Sequence, residues 1–204
     1  MTAHSNLLKF YESYFGLTPE ILQRLGGFIV AWGLFENQLE PMTLVAMGKK
    51  IQKGHRPVTD CLQPSELLTR FRKASGKFLP ETAEVANILV DTAEDLLVFR
   101  NAITHGRALP PPAGGPSFMN NGAWFGETRK RPSTEAHISD RLLDMALESA
   151  GILTLQGASL QMAMLESEEN QRIIAKETKV PLGEARSMAN ELRHLSALMN
   201  DEHY

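Results

Sequence analysis

The chain has 204 residues and a mass of 22.6 kDa, with 21 Lys and Arg against 24 Asp and Glu and 43% hydrophobic residues. That length suits one elaborated domain or two small ones, and the apolar fraction is enough for a real core. The single cysteine, Cys61, excludes a disulfide framework and a cysteine-based zinc site within the chain. No apolar run approaches the ~20 residues that cross a bilayer. The opening residues lack a basic region followed by an apolar one, so the expected location is cytoplasmic. A net charge of −3 argues against a broad nucleic-acid coat and leaves room for a local basic patch.

Helical periodicity dominates. A first helix is predicted from Asn6 to Phe15, stopped at Gly16. Thr18-Pro19-Glu20 reads as N-cap, first-turn proline and dipole-matched acid of a long second helix with the stripe Phe28, Trp32, Phe35, Leu39. Pro41 is expected to kink or divide it. Pro64 opens a third helix to about Lys73, and Pro80 a fourth over Glu81 to His105, with Gly106 expected as a left-handed C-cap. The Pro- and Gly-rich run from Leu109 to Pro116 breaks the helical pattern. Asn121-Gly122 predicts a two-residue hairpin joining Phe118-Met119 to Trp124-Phe125, inside an excursion over residues 107–137. Ser139 caps a fifth helix to about Leu165, where a second apolar line (Leu147, Leu155, Met162) predicts burial on two sides. Residues 166–179 read as a polar connection, and a last amphipathic helix starts near Pro181 with Leu182, Ala185, Ala189, Leu192 and Met199 in register. The fold expected is an all-α bundle with a small β-hairpin excursion and an extra C-terminal helix.

Phosphate-binding glycine loops, His-Glu-x-x-His, Gly-x-Ser-x-Gly and Cys-x-x-Cys are all missing. The six histidines show no i, i+4 pairing, so neither a metal site nor a cofactor is expected. One segment stands out, Phe99-Arg100-Asn101-Ala102-Ile103-Thr104-His105-Gly106. Arg100 falls on the same stripe as Leu89, Ala93, Leu96 and Ile103, where a guanidinium is costly unless it is paired or faces a cleft. His105 stands at the helix C-terminus, where the macrodipole favours a cation. A permanent cation and a titratable imidazole one turn apart are the parts needed to hold a phosphate and move a proton beside it. The bare spacing is not selective, since Arg131 and His137 also fit it. Arg100 pairing with Glu36 or Asp95, and His105 acting as a plain helix cap, is the structural alternative.

Arg100-Asn101, three further residues and His105, at the end of the fourth helix of an all-α chain, resemble the motif of the HEPN (higher eukaryotes and prokaryotes nucleotide-binding) superfamily. Trp32-Gly33-Leu34-Phe35-Glu36-Asn37-Gln38-Leu39 is similar to the acid-bearing second helix of many members, a less specific match. The resemblance covers about residues 20–165. It implies a four- to five-helix bundle over 1–166, a homodimer with a shared cleft, and metal-independent cleavage of RNA to 2′,3′-cyclic phosphates in defence or stress response. On that model His105 acts on the 2′-hydroxyl or the leaving 5′-oxygen, Arg100 neutralises the scissile phosphate, Asn101 orients the pair and Glu36 tethers it. The family branch with His-x-Tyr is not matched, because Arg107 stands in that place. That departure counts against an antitoxin of the kind that modifies the tyrosine, while an antitoxin of another kind or a different protein partner stays open.

Further RNA contacts are expected from Arg107 and from Trp124, Arg129, Lys130 and Arg131 in the excursion, by stacking and phosphate pairing. From Lys49 to Lys77 eight basic residues face two acidic ones, and Glu81 to Asp95 holds five acids and no base. The basic stretch is either an RNA groove or a solvated face. Two other classes stay open: a catalytically silent HEPN dimer that binds RNA, nucleotide or protein, and a small-molecule-binding helical regulator with a closed apolar pocket.

Overall fold

The computed structural model describes residues 3–49, 62–111, 115–120 and 134–201. Among them are six helices: α1 (Ala3–Phe15), α2 (Pro19–Ala46), α3 (Pro64–Ser75), α4 (Pro80–His105), α5 (Asp140–Ala163) and α6 (Glu168–Asp201). Three short strands, β1 (Arg107–Leu109), β2 (Ser117–Asn120) and β3 (Thr134–His137), lie between α4 and α5 in the chain. The architecture is the expected all-α bundle carrying a small sheet.

Local chemistry sets the helix ends. Gly16, at φ +68°, stops α1 in the left-handed region that a glycine enters at little cost. The Thr18 and Ser139 hydroxyls accept from the Ile21 and Leu142 amides, each at 3.3 Å, and Pro19 fills a first-turn position whose missing N–H costs nothing. The predicted stripe of α2 is the heart of the core: Phe28, Trp32, Phe35 and Leu39 are all buried, and Phe28 meets Phe99 of α4 edge-to-face at 5.7 Å.

Helix α5 runs parallel to α2, since Arg24 reaches Asp140, Thr154 Oγ1 donates to the Ala31 carbonyl at 3.1 Å, and Gly157 sits against Met42. Helix α6 runs antiparallel to α5, with Arg141 paired to Glu191 and Ser149 Oγ donating to the Ala185 carbonyl at 3.2 Å. It runs parallel to α4. Its buried residues Ala175, Thr178, Leu182, Ala185, Ala189, Leu192 and Ser196 alternate spacings of three and four, a heptad seam with small side chains that permits close packing. Beside that seam Arg172, Lys179, Arg186 and Arg193 recur every seventh residue. They face Glu81 (3.9 Å), Glu84 (2.7 Å), Asp91 (2.6 Å) and Asp95 (2.7 Å) of α4.

Several expectations are corrected. Pro41 does not divide α2, and α6 begins at Glu168 and passes through Pro181 instead of starting there. Each proline strands a carbonyl four residues back, on Asn37 and Glu177. Both of those residues are exposed, so their freed carbonyls lie on the solvent side and the helices continue. Phe118 and Met119 pair with Ala136 and Glu135, not with Trp124 and Phe125. The sheet order is β1-β2-β3, both pairings antiparallel, and the buried Ala136 and Ile138 draw β3 onto the bundle. The Asn121-Gly122 turn itself lies outside the described residues. Gly106 is extended (φ −84°, ψ 167°), not left-handed. Leu155 and Met162 of the second apolar line of α5 are exposed, at 68% and 62%.

Candidate active site

The last turn of α4 brings together four residues that the motif singles out. Arg100 Nη1 donates to Asn101 Oδ1 at 2.9 Å and lies 3.3 Å from His105 Nε2. Its Nη2 lies 3.4 Å from Glu36 Oε2 on α2, sixty-four residues earlier in the chain. A guanidinium only donates, so this contact is a hydrogen bond in the tautomer that leaves Nε2 of His105 bare as the acceptor. Arg100 sits on the core-facing stripe as half of a pair: it and Glu36 are both part-buried, while His105 is exposed.

Glu36 Oε1 is buried and has no hydrogen-bond partner among the described residues. A buried carboxyl oxygen in that condition is an acceptor left open at the cluster, where leaving it unsatisfied is costly. Of the two acids open to Arg100, its ion pair is with Glu36, while Asp95 pairs with Arg193 at 2.7 Å. Thr104 Oγ1 donates to the Arg100 carbonyl at 2.9 Å, and Asn120 Nδ2 of β2 reaches the Asn101 carbonyl at 3.5 Å.

Arg107 begins β1 two residues past His105 and is exposed, paired in register with Met119. Trp124, Arg129, Lys130 and Arg131 lie outside the described residues. The basic stretch before α4 is partly neutralised within the bundle. Arg70 pairs with Glu66 at 2.8 Å, and Arg72 with Asp91 at 2.7 Å and Glu94 at 3.1 Å. The acidic run of α4 is correspondingly the seat of cations from α3 and α6. Sequence reasoning missed the seven-residue spacing of those α6 cations, although the four positions stand in plain register along the chain.

Among the described residues, no group of three or more His, Cys, Asp or Glu gathers as a cation site, and no helix is long and apolar enough to cross a membrane. A surface groove of about 440 Å³ between α2 and α5, lined by Glu20, Gln23, Arg24, Gly27 and Leu147, includes none of the four clustered residues. It is open and bordered by the Arg24–Asp140 pair, unlike the closed apolar pocket of a small-molecule regulator. Compared with protein-family models, with curated proteins and with solved structures, the chain matches none.

Proposed function

We propose that the chain is a metal-independent endoribonuclease of HEPN type, acting as a cytoplasmic homodimer in defence or stress response. The observation that carries the proposal is the Arg100 fork set 3.3 Å from an exposed His105 Nε2, with Asn101 and Glu36 holding the other donors. When a phosphodiester displaces the imidazole from Nη1, the guanidinium neutralises the developing charge on phosphorus oxygens. The freed Nε2 takes the proton of the 2′-hydroxyl. The 2′-oxygen bonds to phosphorus, the bond to the 5′-oxygen breaks, and that oxygen leaves with a proton from a second acid. The second acid is His105 of the other copy, in the form that carries a proton on Nε2. Asn101 keeps the fork in plane, and Glu36 restrains it from swinging into solvent.

The dimer is supported by an uncovered apolar strip on the parallel helices α2 and α5. Val30, Leu34, Leu155 and Met162 are 64%, 54%, 68% and 62% exposed, and Gly26, Gly33 and Gly151 leave open space beside them. Exposed apolar patches of this kind mark association surfaces.

The mechanism is tested with an RNA carrying one 2′-deoxy residue at the mapped cleavage site. Cleavage there should stop, and the all-ribose product should end in a 2′,3′-cyclic phosphate. A 3′-hydroxyl end, or cleavage across the 2′-deoxy residue, contradicts it.

One observation favours a second reading. Arg100 is already satisfied by Glu36, Asn101 and His105, as in a catalytically silent HEPN dimer that binds RNA or nucleotide. That protein would retain RNA in a binding assay and release it intact.

A further inference from the structure

Gly106 follows the helix that carries the cluster, and its backbone is one that any residue adopts. Its reason is therefore steric. A Cβ there would stand 2.0 Å from the Ala102 carbonyl oxygen, 2.9 Å from the Met119 carbonyl oxygen and 3.0 Å from the Met119 carbonyl carbon. The end of α4 and the backbone of β2 converge on this one position, and only a hydrogen fits between them.

Next to Met119, Asn120 Nδ2 donates to the Asn101 carbonyl at 3.5 Å. Asn101 is also the residue whose side chain receives Arg100 at 2.9 Å, and the same Arg100 nitrogen contacts His105. A connected path thus runs from Asn120 through Asn101 and Arg100 to His105. Strand β2 is itself held. It lies between β1 and β3, the Ile138 amide donates to the Pro116 carbonyl at 2.8 Å, and Phe118 packs on the core. Final turns of helices ordinarily fray. Here a strand is pressed against the turn that bears both functional side chains.

We infer that β2 is a splint for the last turn of α4, with Gly106 and Asn120 as positioning residues that fix Arg100 and His105 for their work on a phosphate. The chemistry rests on the ribonuclease reading, whereas the positioning itself does not. Within the 107–137 excursion, β2 serves the site through its contact with α4 of the same chain. Displacing reacting groups by about 1 Å costs on the order of 10²-fold in rate, so loosening the splint has a measurable consequence.

The test uses the full chain with Gly106→Ala, Asn120→Ala and Asn120→Gln, the last keeping the donor on a longer arm. Three quantities are read: thermal midpoint, the imidazole nitrogen NMR signals of His105, and kcat and KM on RNA. In Gly106→Ala and Asn120→Ala the His105 Nε2 signal should lose its acceptor signature. In both, kcat should fall by about tenfold or more at nearly unchanged KM. Asn120→Gln should recover part of the loss, and Asn120→Ala should keep its thermal midpoint. Unchanged His105 signals and kcat in both alanine variants overturn the splint. So does a kcat loss that tracks thermal midpoint alone. If Gly106→Ala does not fold, Asn120→Ala decides by the same criteria. If wild type cleaves no RNA, the ribonuclease reading falls, and the His105 signals alone decide the splint.

Discussion

Arg100 Nη1 lies 3.3 Å from His105 Nε2, and the same nitrogen donates to Asn101 Oδ1 at 2.9 Å. One planar fork thus serves an amide, an imidazole and, through Nη2, a carboxylate 3.4 Å away. Lysine at position 100 offers a point charge on a flexible stem and reproduces none of that geometry. Arg100→Lys should therefore lower kcat/KM by about 10²-fold or more, because the loss is one of transition-state charge stabilisation. Thermal stability should change little, since the side chain is part-exposed and the charge is kept. Steady-state kinetics together with a thermal melt check this, and an active Arg100→Lys enzyme would remove the fork from the mechanism.

Asp91 of α4 receives Arg72 of α3 at 2.7 Å and Arg186 of α6 at 2.6 Å, one oxygen to each. Isolated surface pairs contribute about 0–1 kcal/mol, but a shared carboxylate that joins three helices behaves as a network. Asp91→Asn should destabilise the fold by about 1–2 kcal/mol in low salt, with the difference shrinking as salt screens the seam. Urea unfolding at two ionic strengths measures this. A loss that does not depend on salt would assign the cost to packing instead.

Gly157 of α5 faces α2 so closely that a Cβ would stand 3.3 Å from Gln38 Oε1 and 3.4 Å from Met42 Sδ. Both neighbours are ends of flexible side chains. Gly157→Ala should lie within about 1 kcal/mol of wild type, the helix-propensity gain offsetting the squeeze. Gly157→Val adds two methyls to a full interface and should cost about 1–3 kcal/mol. Denaturant midpoints of the two variants separate these outcomes.

Glu20, in the first turn of α2, has its carboxyl lowered from the ordinary glutamate range. The leading cause is its backbone hydrogen bond, followed by the Thr18 hydroxyl, with Arg24 adding a smaller lowering and burial opposing it. A carboxylate lowered in the folded state stabilises it above the unfolded value. That contribution fades as pH falls through the ordinary glutamate range and below it. Wild type and Glu20→Gln should accordingly differ in stability near neutral pH and converge in acid. Melts from pH 7 to pH 3 follow the difference, and a gap that widens toward acid would reverse the sign.

What was legible in the sequence was local. Thr18-Pro19 and Ser139 act within one turn of themselves, so the starts of α2 and α5 fall where the residue pattern places them. The stripe Phe28, Trp32, Phe35, Leu39 follows helical period and is buried throughout. Relations between distant segments were not legible. Phe118 faces Ala136 across a long connection, a choice made by burial of β3 against the bundle and not by the nearer Asn-Gly turn signal. Gly106 looks like a left-handed cap until β2 is in place, because its true constraint is the Met119 backbone. The early half of α6 reads as polar connection because its buried positions are small or hydroxylated, Ala175 and Thr178 among charges. Those charges are meaningful only opposite the acids of α4. Of the candidate site, Arg100, Asn101 and His105 share one helix end and could be seen together. Glu36 could be named only as one of two acids open to Arg100 and through the resemblance, and Asn120 from neither source.

The most direct measurement incubates the purified protein with structured RNA in the presence of EDTA, beside His105→Ala and Arg100→Ala. Wild type should cleave without added metal. His105→Ala should lose about 10²–10⁴-fold in rate while keeping its thermal midpoint, because an exposed general acid–base group contributes that much to catalysis and little to folding. Cleavage that persists in both variants, or no cleavage by wild type on varied RNAs, would contradict the assignment of this site to RNA cleavage.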